Sequence, residues 1–155
     1  MKIREYVDRK LVIFSAKKEK FDVLTDIANV LEKNGKVTSG YKQSLIEREK
    51  KFPTGLETET IGIAIPHTDS HYVKESAIAV CVLEHPVPFI QMGTEDEEVK
   101  VELIFMLALK NAEDQLEMLQ TLVELIQDDQ IILALKNAGS ADDVLASIER
   151  FSKEA

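Results

Sequence analysis

The sequence predicts an α/β fold in which helices cover a mixed β-sheet, and three observations favour it. Short apolar runs typical of strands occur at residues 10–14, 61–65, 76–83 and 99–109. Segments whose apolar residues recur at helical spacing separate the first two of these runs. Beyond residue 112 the pattern is helical to the end. Strands flanked by helices and then followed by a helical tail are typical of an α/β sandwich.

The first strand and the first helix are predicted at residues 10–33. The run KLVIF at residues 10–14 contains β-branched residues that favour a strand. A helix is predicted over residues 18–33, with Ser15 as its candidate N-cap and Gly35 where a glycine ends a helix. Its apolar stripe consists of Phe21, Leu24, Ile27, Ala28 and Leu31.

A second helix is predicted over residues 39–50, ending before the segment FPTG. Its inward stripe is interpreted as Tyr41, Leu45 and Arg48, at i, i+4 and i+7. An arginine on the inward face must find an anion or carbonyl oxygens, because burying it unpaired costs several kcal/mol.

The run IGIAI at residues 61–65 predicts a central strand buried on both faces. Its isoleucines lie on one side, and Gly62 and Ala64 lie on the other, where their small size lets a helix pack closely. The runs at residues 76–83 and 99–109 are likewise apolar on both faces. Cys81 alternates with core residues and is interpreted as a small buried hydrophobe.

Three helices are predicted at the C-terminal end, over residues 113–127, 128–137 and 140–151. Ser140 and Asp143 form a capping-box-like start for the last one. The stripe of the first consists of Leu116, Leu119, Val123 and Ile126.

Composition excludes several classes of protein. A chain of 155 residues that is 45% hydrophobic predicts one globular domain over residues 1–155. A formal net charge of -9 and a pI near 4.9 argue against nucleic acid and anionic membranes as partners, and leave a basic protein partner open. No apolar run approaches the roughly 20 residues of a membrane helix, and no signal-peptide pattern is present. One cysteine excludes an internal disulfide framework, so we expect a cytoplasmic protein.

Two of the three histidines lie in the segment GIAIPHTDSH, as His67 and His71. His67 follows the predicted strand and Pro66, and strand ends of α/β sheets are where ligands bind. A neutral imidazole is a good phosphoryl acceptor, and a carbonyl that binds one ring nitrogen leaves the lone pair of the other free. The planar guanidinium of Arg48 is suited to holding the phosphate. The alternatives are a surface-loop role for His67 and an ion pair of Arg48 with Glu49 or Asp69.

A zinc site is a second interpretation of the two histidines. They are spaced i, i+4, as in the H-E-x-x-H motif, but the spacer Thr-Asp-Ser lacks the catalytic glutamate. A third ligand is required, and only Asp69 or His85 can be proposed. His85 is otherwise expected in a turn, residues 95–98 in a solvated acidic loop, and three methionines in the core. These are Met92, Met106 and Met118.

Four segments together match one known family. They are LIEREKKFPTGLETETIGIAIPHTD, KESAIAVCVLEHPVPF, VELIFMLALKN and QLEMLQTLVELIQDDQIILALKNAGSADDVL. With these segments the sequence resembles the enzyme IIA proteins of the bacterial phosphotransferase system, in their fructose–mannitol class, over nearly the whole chain. The signature is a small-residue strand that ends in Pro-His, with an Arg-Glu pair about twenty residues earlier. The FPTG segment and the second histidine most resemble the galactitol-type branch.

The resemblance implies a fold and a function. It implies a mixed five-stranded sheet between helices, and a relay in which Nε2 of His67 accepts a phosphoryl group from HPr. His67 then passes that group to a cysteine of enzyme IIB, which serves the membrane enzyme IIC in uptake of galactitol or a related polyol. Arg48 helps to hold the phosphate, and neither a cofactor nor a metal is implied. The alternative is a regulatory, nitrogen-type IIA that acts by binding proteins, although such members usually have Pro-His-Gly and lack FPTG.

Two positions depart from the mannitol-type pattern. The second active-site histidine of that type is replaced by Gln115, and its acidic residue six positions before the acceptor is replaced by Ile61. The role of the missing histidine therefore falls either to His71, which can orient or stabilise the phosphate, or to Gln115, which can donate an uncharged hydrogen bond. Thr68 and Gln115 are expected to contribute hydrogen bonds to the phosphate.

Overall fold

A five-stranded mixed sheet runs through the centre of the computed structural model, which describes residues 2–154. The strands are β1 (Val12–Ser15), β2 (Gly55–Glu57), β3 (Gly62–Ala64), β4 (Ala77–Ile90) and β5 (Glu98–Ala108). Their order in the sheet is β1-β4-β5-β3-β2. The β1/β4 and β3/β5 pairs are parallel, and the β4/β5 and β2/β3 pairs are antiparallel. The predicted α/β class with a mixed five-stranded sheet is confirmed.

Helices cover both faces of this sheet. They are α1 (Lys20–Lys33), α2 (Tyr41–Lys51), α3 (Ala112–Ile126), α4 (Asp129–Lys136) and α5 (Ala141–Glu154). Helices α1 and α2 share one buried cluster with the sheet, and α3, α4 and α5 share a second cluster on the opposite face. Within residues 2–154, no helix is both long and apolar enough to cross a lipid bilayer.

Strand β3 divides its side chains between the two clusters, as the alternation of its sequence predicts. Ile61, Ile63 and Ile65 pack towards α3–α5, and Ala64 packs towards α1 and α2. Gly62 differs from the expectation, because the neighbour that requires its small size is strand β5 and not a helix. A Cβ atom built on Gly62 would collide with the carbonyl oxygen of Lys100 and lie 2.6 Å from Val99 Cγ1. The β3/β5 register shifts at this point.

Two parts of the sheet were not anticipated. The FPTG segment ends α2, but its glycine also begins the edge strand β2. Strand β4 continues through His85, where a turn was predicted, and ends only at Ile90. The pairing of β4 with β5 shifts between Val82 and Val87, and this irregularity accommodates Pro86 because proline cannot donate to a ladder, whereas Pro88 lies beyond it in register with Lys100.

The helix ends agree with the predictions in two cases out of three. Gly35 has the left-handed φ of +74° that follows the end of α1, and the amide of Asp143 donates to Ser140 Oγ at the start of α5. Ser15 is not the N-cap of α1, because the helix begins later and Glu19 accepts the hydrogen bond from the amide of Asp22.

The inward face of α3 is rotated relative to the predicted stripe. Met118, Leu122 and Leu125 are buried, whereas Leu116 is 60% exposed and Val123 is 43% exposed. Among the predicted core methionines, Met106 and Met118 are confirmed and Met92 is exposed. Cys81 is fully buried in β4, as predicted, and burial raises the pKa of its thiol to about 12.

Gly62→Ala is expected to destabilise the protein by about 1–3 kcal/mol, because the added methyl group must displace the β5 backbone. Urea denaturation of the variant and the wild type measures this difference. Gly139→Ala is the matched control, since its Cβ would meet only Asp143 Oδ2, at 3.8 Å. Equal unfolding midpoints for Gly62→Ala and the wild type would contradict the close approach of β3 to β5.

Candidate functional site

His67 lies where the chain leaves the sheet, three residues beyond Ala64 at the end of β3. Strands β3 and β5 are parallel, so their carboxyl ends lie at the same edge of the sheet. The amide of Leu107, near the end of β5, donates to the carbonyl oxygen of Pro66 at 3.0 Å. The backbone immediately before His67 is therefore fixed to the central strand of the sheet.

The imidazole of His67 is held by one hydrogen bond. Its Nδ1 lies 2.8 Å from the carbonyl oxygen of Ile65. A carbonyl can only accept, so Nδ1 carries the proton and Nε2 retains its lone pair. Burial lowers the pKa of His67 below its ordinary value of 6.5, and the positive charge of Arg48 lowers it further, while the bond to Ile65 opposes the shift. The ring is therefore neutral at pH 7, with Nε2 as its nucleophilic atom.

Arg48 lies on the surface of α2 and not on its inward face, which corrects the predicted stripe. The third buried member of that stripe is Glu49, which is 3% exposed and follows Tyr41 and Leu45 at i+8 and i+4. The Arg48 guanidinium lies over the ring of Phe52, with 5.2 Å between Cζ and the ring centroid. Within residues 2–151, no carboxylate forms an ion pair with Arg48, so the alternative pairing with Glu49 or Asp69 is wrong. The guanidinium is available to an external anion.

A cleft of about 320 Å³ separates α2 from the segment that follows His67. Its lining carries two positive charges, from Arg48 and Lys51, and two negative charges, from Glu47 and Asp69. Thr68 is buried beside it, with Oγ1 2.6 Å from Ser44 Oγ. Sequence reasoning missed Ser44, although it precedes Arg48 by one helical turn and so lies on the same side of α2.

The main chain of Thr68 offers a further donor. Its hydroxyl is engaged with Ser44, whereas within residues 2–154 no acceptor is found for its amide N–H. An unpaired amide next to His67 is suited to bind an anion.

Two further contacts fix the surroundings of His67 from the α2 side. Both the amide and the hydroxyl of Thr54 donate to the carboxylate of Glu49, each at 2.8 Å. The buried hydroxyl of Tyr41 donates to the carbonyl oxygen of Leu107 at 2.6 Å. Burial raises the pKa of Glu49, whereas the two bonds from Thr54 and the charge of Lys20 oppose that shift. Sequence reasoning gave no role to these contacts.

His71 and Gln115 lie on two further elements, a 3₁₀ turn after His67 and helix α3. His71 is exposed in a 3₁₀ turn, Ser70–Tyr72, where its ring meets that of Tyr72 edge-on at 5.4 Å. Gln115 lies in the first turn of α3, which begins at the same sheet edge after β5. Within residues 2–151, neither side chain forms a hydrogen bond with His67 or Arg48. The part of the chain that the structure describes also contains no group of three His, Cys, Asp or Glu side chains placed to hold a metal ion.

Comparison with known proteins identifies the family. The model of the phosphoenolpyruvate-dependent sugar phosphotransferase system, EIIA 2, matches residues 5–151. The galactitol-specific EIIA component of Escherichia coli (strain K12) is 36% identical over 117 residues, 76% of this chain and 77% of that protein. The nitrogen regulatory protein homolog of Haemophilus influenzae is 31% identical over 155 residues, 93% of this chain and 88% of that one.

A solved structure agrees on the fold. The complex of mannitol enzyme IIA with phosphorylated enzyme IIB from Escherichia coli includes a chain that matches with a TM-score of 0.76. The two chains are 23% identical, and the match covers 92% of this chain and 96% of that one. Together these matches show that the chain belongs to the EIIA type 2 family of the phosphoenolpyruvate-dependent sugar phosphotransferase system, whose members are phosphotransferase components.

Proposed function

We propose that this chain accepts a phosphoryl group from the phosphohistidine of HPr on Nε2 of His67 and passes it to a cysteine of a cognate enzyme IIB. The observation that carries this proposal is the bond from Nδ1 of His67 to Ile65, which leaves Nε2 free beside the unpaired guanidinium of Arg48. The solved complex of a mannitol enzyme IIA with phosphorylated enzyme IIB supports the second partner. The acidic chain is not proposed to bind nucleic acid.

In the proposed transfer every bond that forms or breaks belongs to the two proteins and the phosphoryl group, so neither a cofactor nor a metal is required. The Nε2 lone pair of His67 forms a P–N bond while the P–N bond of the donor breaks, and the ring becomes positively charged with its Nδ1 proton in place. The bond to Ile65 strengthens as this charge develops, since charged donors form stronger hydrogen bonds. Attack by a cysteine thiolate on phosphorus then breaks the P–N bond and returns the ring to its neutral tautomer.

The phosphoryl oxygens need hydrogen-bond donors at fixed positions, and four residues supply these donors. The fork of Arg48 binds two oxygens, and the amide of Thr68 binds the phosphoryl group from the side of the loop. His71 and Gln115 supply further hydrogen bonds from the 3₁₀ turn and from α3. Neither contacts His67 directly, so their role is directed at the phosphoryl group and not at the ring.

The proposed transport system takes up galactitol or a related polyol, with enzyme IIC as its membrane component and the relay in the cytoplasm. The galactitol-specific relative, 36% identical over 76% of this chain, supports this assignment. A regulatory role is the second candidate, since the nitrogen regulatory protein homolog is 31% identical over 93% of the chain. Phosphoryl transfer to a galactitol-type enzyme IIB distinguishes them, because a regulator that acts by protein binding has no need of it.

The acceptor is tested by incubating the protein with phosphoenolpyruvate, enzyme I and HPr. We expect an acid-labile phosphoryl group on the wild type and none on His67→Ala, because the P–N bond requires the imidazole. His85→Ala, in β4, is the matched control and should be labelled fully. Equal labelling of His67→Ala and the wild type would refute the assignment.

Arg48→Lys is expected to slow phosphoryl transfer from HPr by roughly tenfold or more, because an ammonium group cannot bind two oxygens as a planar fork does. The rate is measured by rapid quench. Arg150→Lys, on α5, is the control for a general effect of the substitution. An unchanged rate for Arg48→Lys would remove this side chain from the phosphate site.

The pH dependence of acceptance follows from the lowered pKa of His67. Protonation of Nε2 removes the nucleophile, so acceptance is lost only as the pH falls through a value below 6.5. The unfolded chain binds this proton at higher pH, so the contribution of His67 to folding stability is present above about pH 6.5 and is lost as the pH falls through the folded pKa.

Titration of the ring by ¹⁵N NMR measures this pKa. Arg48→Gln should raise it, because a neighbouring cation disfavours the imidazolium, whereas Arg48→Lys should leave it near the wild-type value. An unaltered titration in Arg48→Gln would show that the charge of Arg48 does not act on the ring.

A further inference from the structure

We propose that Glu49 is a positioning residue that orients the imidazole of His67 through Thr54 and Ile65. This inference rests on the proposed function, and it assigns a role in the relay to a buried carboxylate that does not touch the reacting atoms. Three consecutive contacts support this inference. They connect α2, Thr54 directly before strand β2, and residues 65–67.

The first contact anchors Thr54 to α2. Thr54 donates two hydrogen bonds, from its amide and its hydroxyl, to the two carboxylate oxygens of Glu49. Glu49 is 3% exposed and Thr54 is 4% exposed, so water does not compete for these bonds. Bonds to a carboxylate are stronger than bonds between neutral groups, and two of them fix both the position and the rotation of Thr54.

The second and third contacts connect Thr54 to the imidazole ring of His67. The amide of Ile65 donates to the carbonyl oxygen of Thr54 at 3.3 Å, and the carbonyl of Ile65 accepts the proton of His67 Nδ1 at 2.8 Å. The Thr54–Ile65 bond extends the β2/β3 ladder one pair beyond Gly55 and Ala64. A residue at the end of a ladder frays unless it is held from outside, and Glu49 holds it.

The arrangement also explains why the carboxylate lies in the interior. A buried carboxylate is costly unless its oxygens are satisfied, and each oxygen of Glu49 accepts a hydrogen bond from Thr54. Glu49 lies one residue after Arg48, so the same helical turn carries the proposed phosphate ligand, Arg48, and the residue that supports the ring of His67. The orientation of the Ile65 carbonyl determines which ring nitrogen carries the proton, and therefore which nitrogen is reactive.

The test compares Thr54→Val with Thr54→Ser. Thr54→Val keeps the shape of the side chain and removes the hydroxyl donor to Glu49, whereas Thr54→Ser keeps both donors. We expect Thr54→Val to lower kcat for transfer from phosphorylated HPr by roughly ten- to hundredfold with KM nearly unchanged, because the ring is misplaced while the docking surface is intact. Thr54→Ser should keep the wild-type kcat. Glu49→Gln, which replaces one carboxylate oxygen by a donor, should act like Thr54→Val.

A second readout does not depend on phosphoryl transfer. The ¹⁵N spectrum of His67 should show one tautomer, protonated at Nδ1, in the wild type and in Thr54→Ser, and a mixture of tautomers in Thr54→Val. Thr60→Val is the matched control, because it removes another threonine–carboxylate bond, to Asp129, at the far end of the same hairpin. It should alter neither the spectrum nor kcat.

The outcomes separate the two proposals. A wild type that accepts no phosphoryl group refutes the proposed function, and the tautomer spectra still decide the role of Glu49. If Thr54→Val and Glu49→Gln are less stable in thermal unfolding but retain the wild-type spectrum and kcat at a temperature where they are folded, the contact is only structural and the inference is wrong. Should Glu49→Gln fail to fold, the pair of Thr54 variants decides alone.

Discussion

The chemistry of the site depends on one hydrogen bond, from Nδ1 of His67 to the carbonyl oxygen of Ile65. This bond selects the tautomer and aims the other ring nitrogen outward, but it does so only if the carbonyl itself cannot rotate. The chain on both sides of that carbonyl is fixed, because the amide of Ile65 binds Thr54 and the carbonyl of Pro66 binds Leu107. Pro66 also restricts its own φ. A flexible loop of the same composition would leave the ring free to change tautomer.

Two adjacent residues of helix α2 act on this site. Glu49 supports the bond through Thr54, and Arg48 supplies a positive charge to the cleft. Successive residues of an α-helix differ by about 100° in direction, so Arg48 faces the cleft while Glu49 enters the core. The last turn of α2 also carries Lys50 and Lys51, where positive side chains favour the negative end of the helix dipole. The cleft also carries Glu47 and Asp69, so the positive charge that acts on His67 is that of the Arg48 guanidinium and not a general excess of basic residues.

The sequence predicted the sheet, and the point where the chain leaves it before His67, better than it predicted which side chains face inward. Long apolar runs identify buried strands, but the three residues of β2 carry no such pattern and gain their structure from pairing with β3. Arg48 and Glu49 follow Leu45 by three and four residues, so helical spacing allows either of them on the inward face. Glu49 is the buried one because Thr54 binds its carboxylate there. The contact of Ser44 with Thr68 joins residues 24 positions apart, so no local pattern announces it. Pro-His after a buried strand, in contrast, is a local signal of where the chain leaves the sheet.

A phosphoryl carrier must bind its group firmly enough to accept it and loosely enough to give it away. Burial and the charge of Arg48 both disfavour a positive imidazole, and a ring phosphorylated on Nε2 that keeps its Nδ1 proton is positive. The same guanidinium attracts the negatively charged oxygens of the phosphoryl group, which compensates the repulsion of the ring. The bond to Ile65 adds a further stabilisation of the charged ring. In the proposed reaction, burial of the positive ring keeps the P–N bond reactive, while Arg48 and the carbonyl of Ile65 stabilise the phosphohistidine enough for it to form.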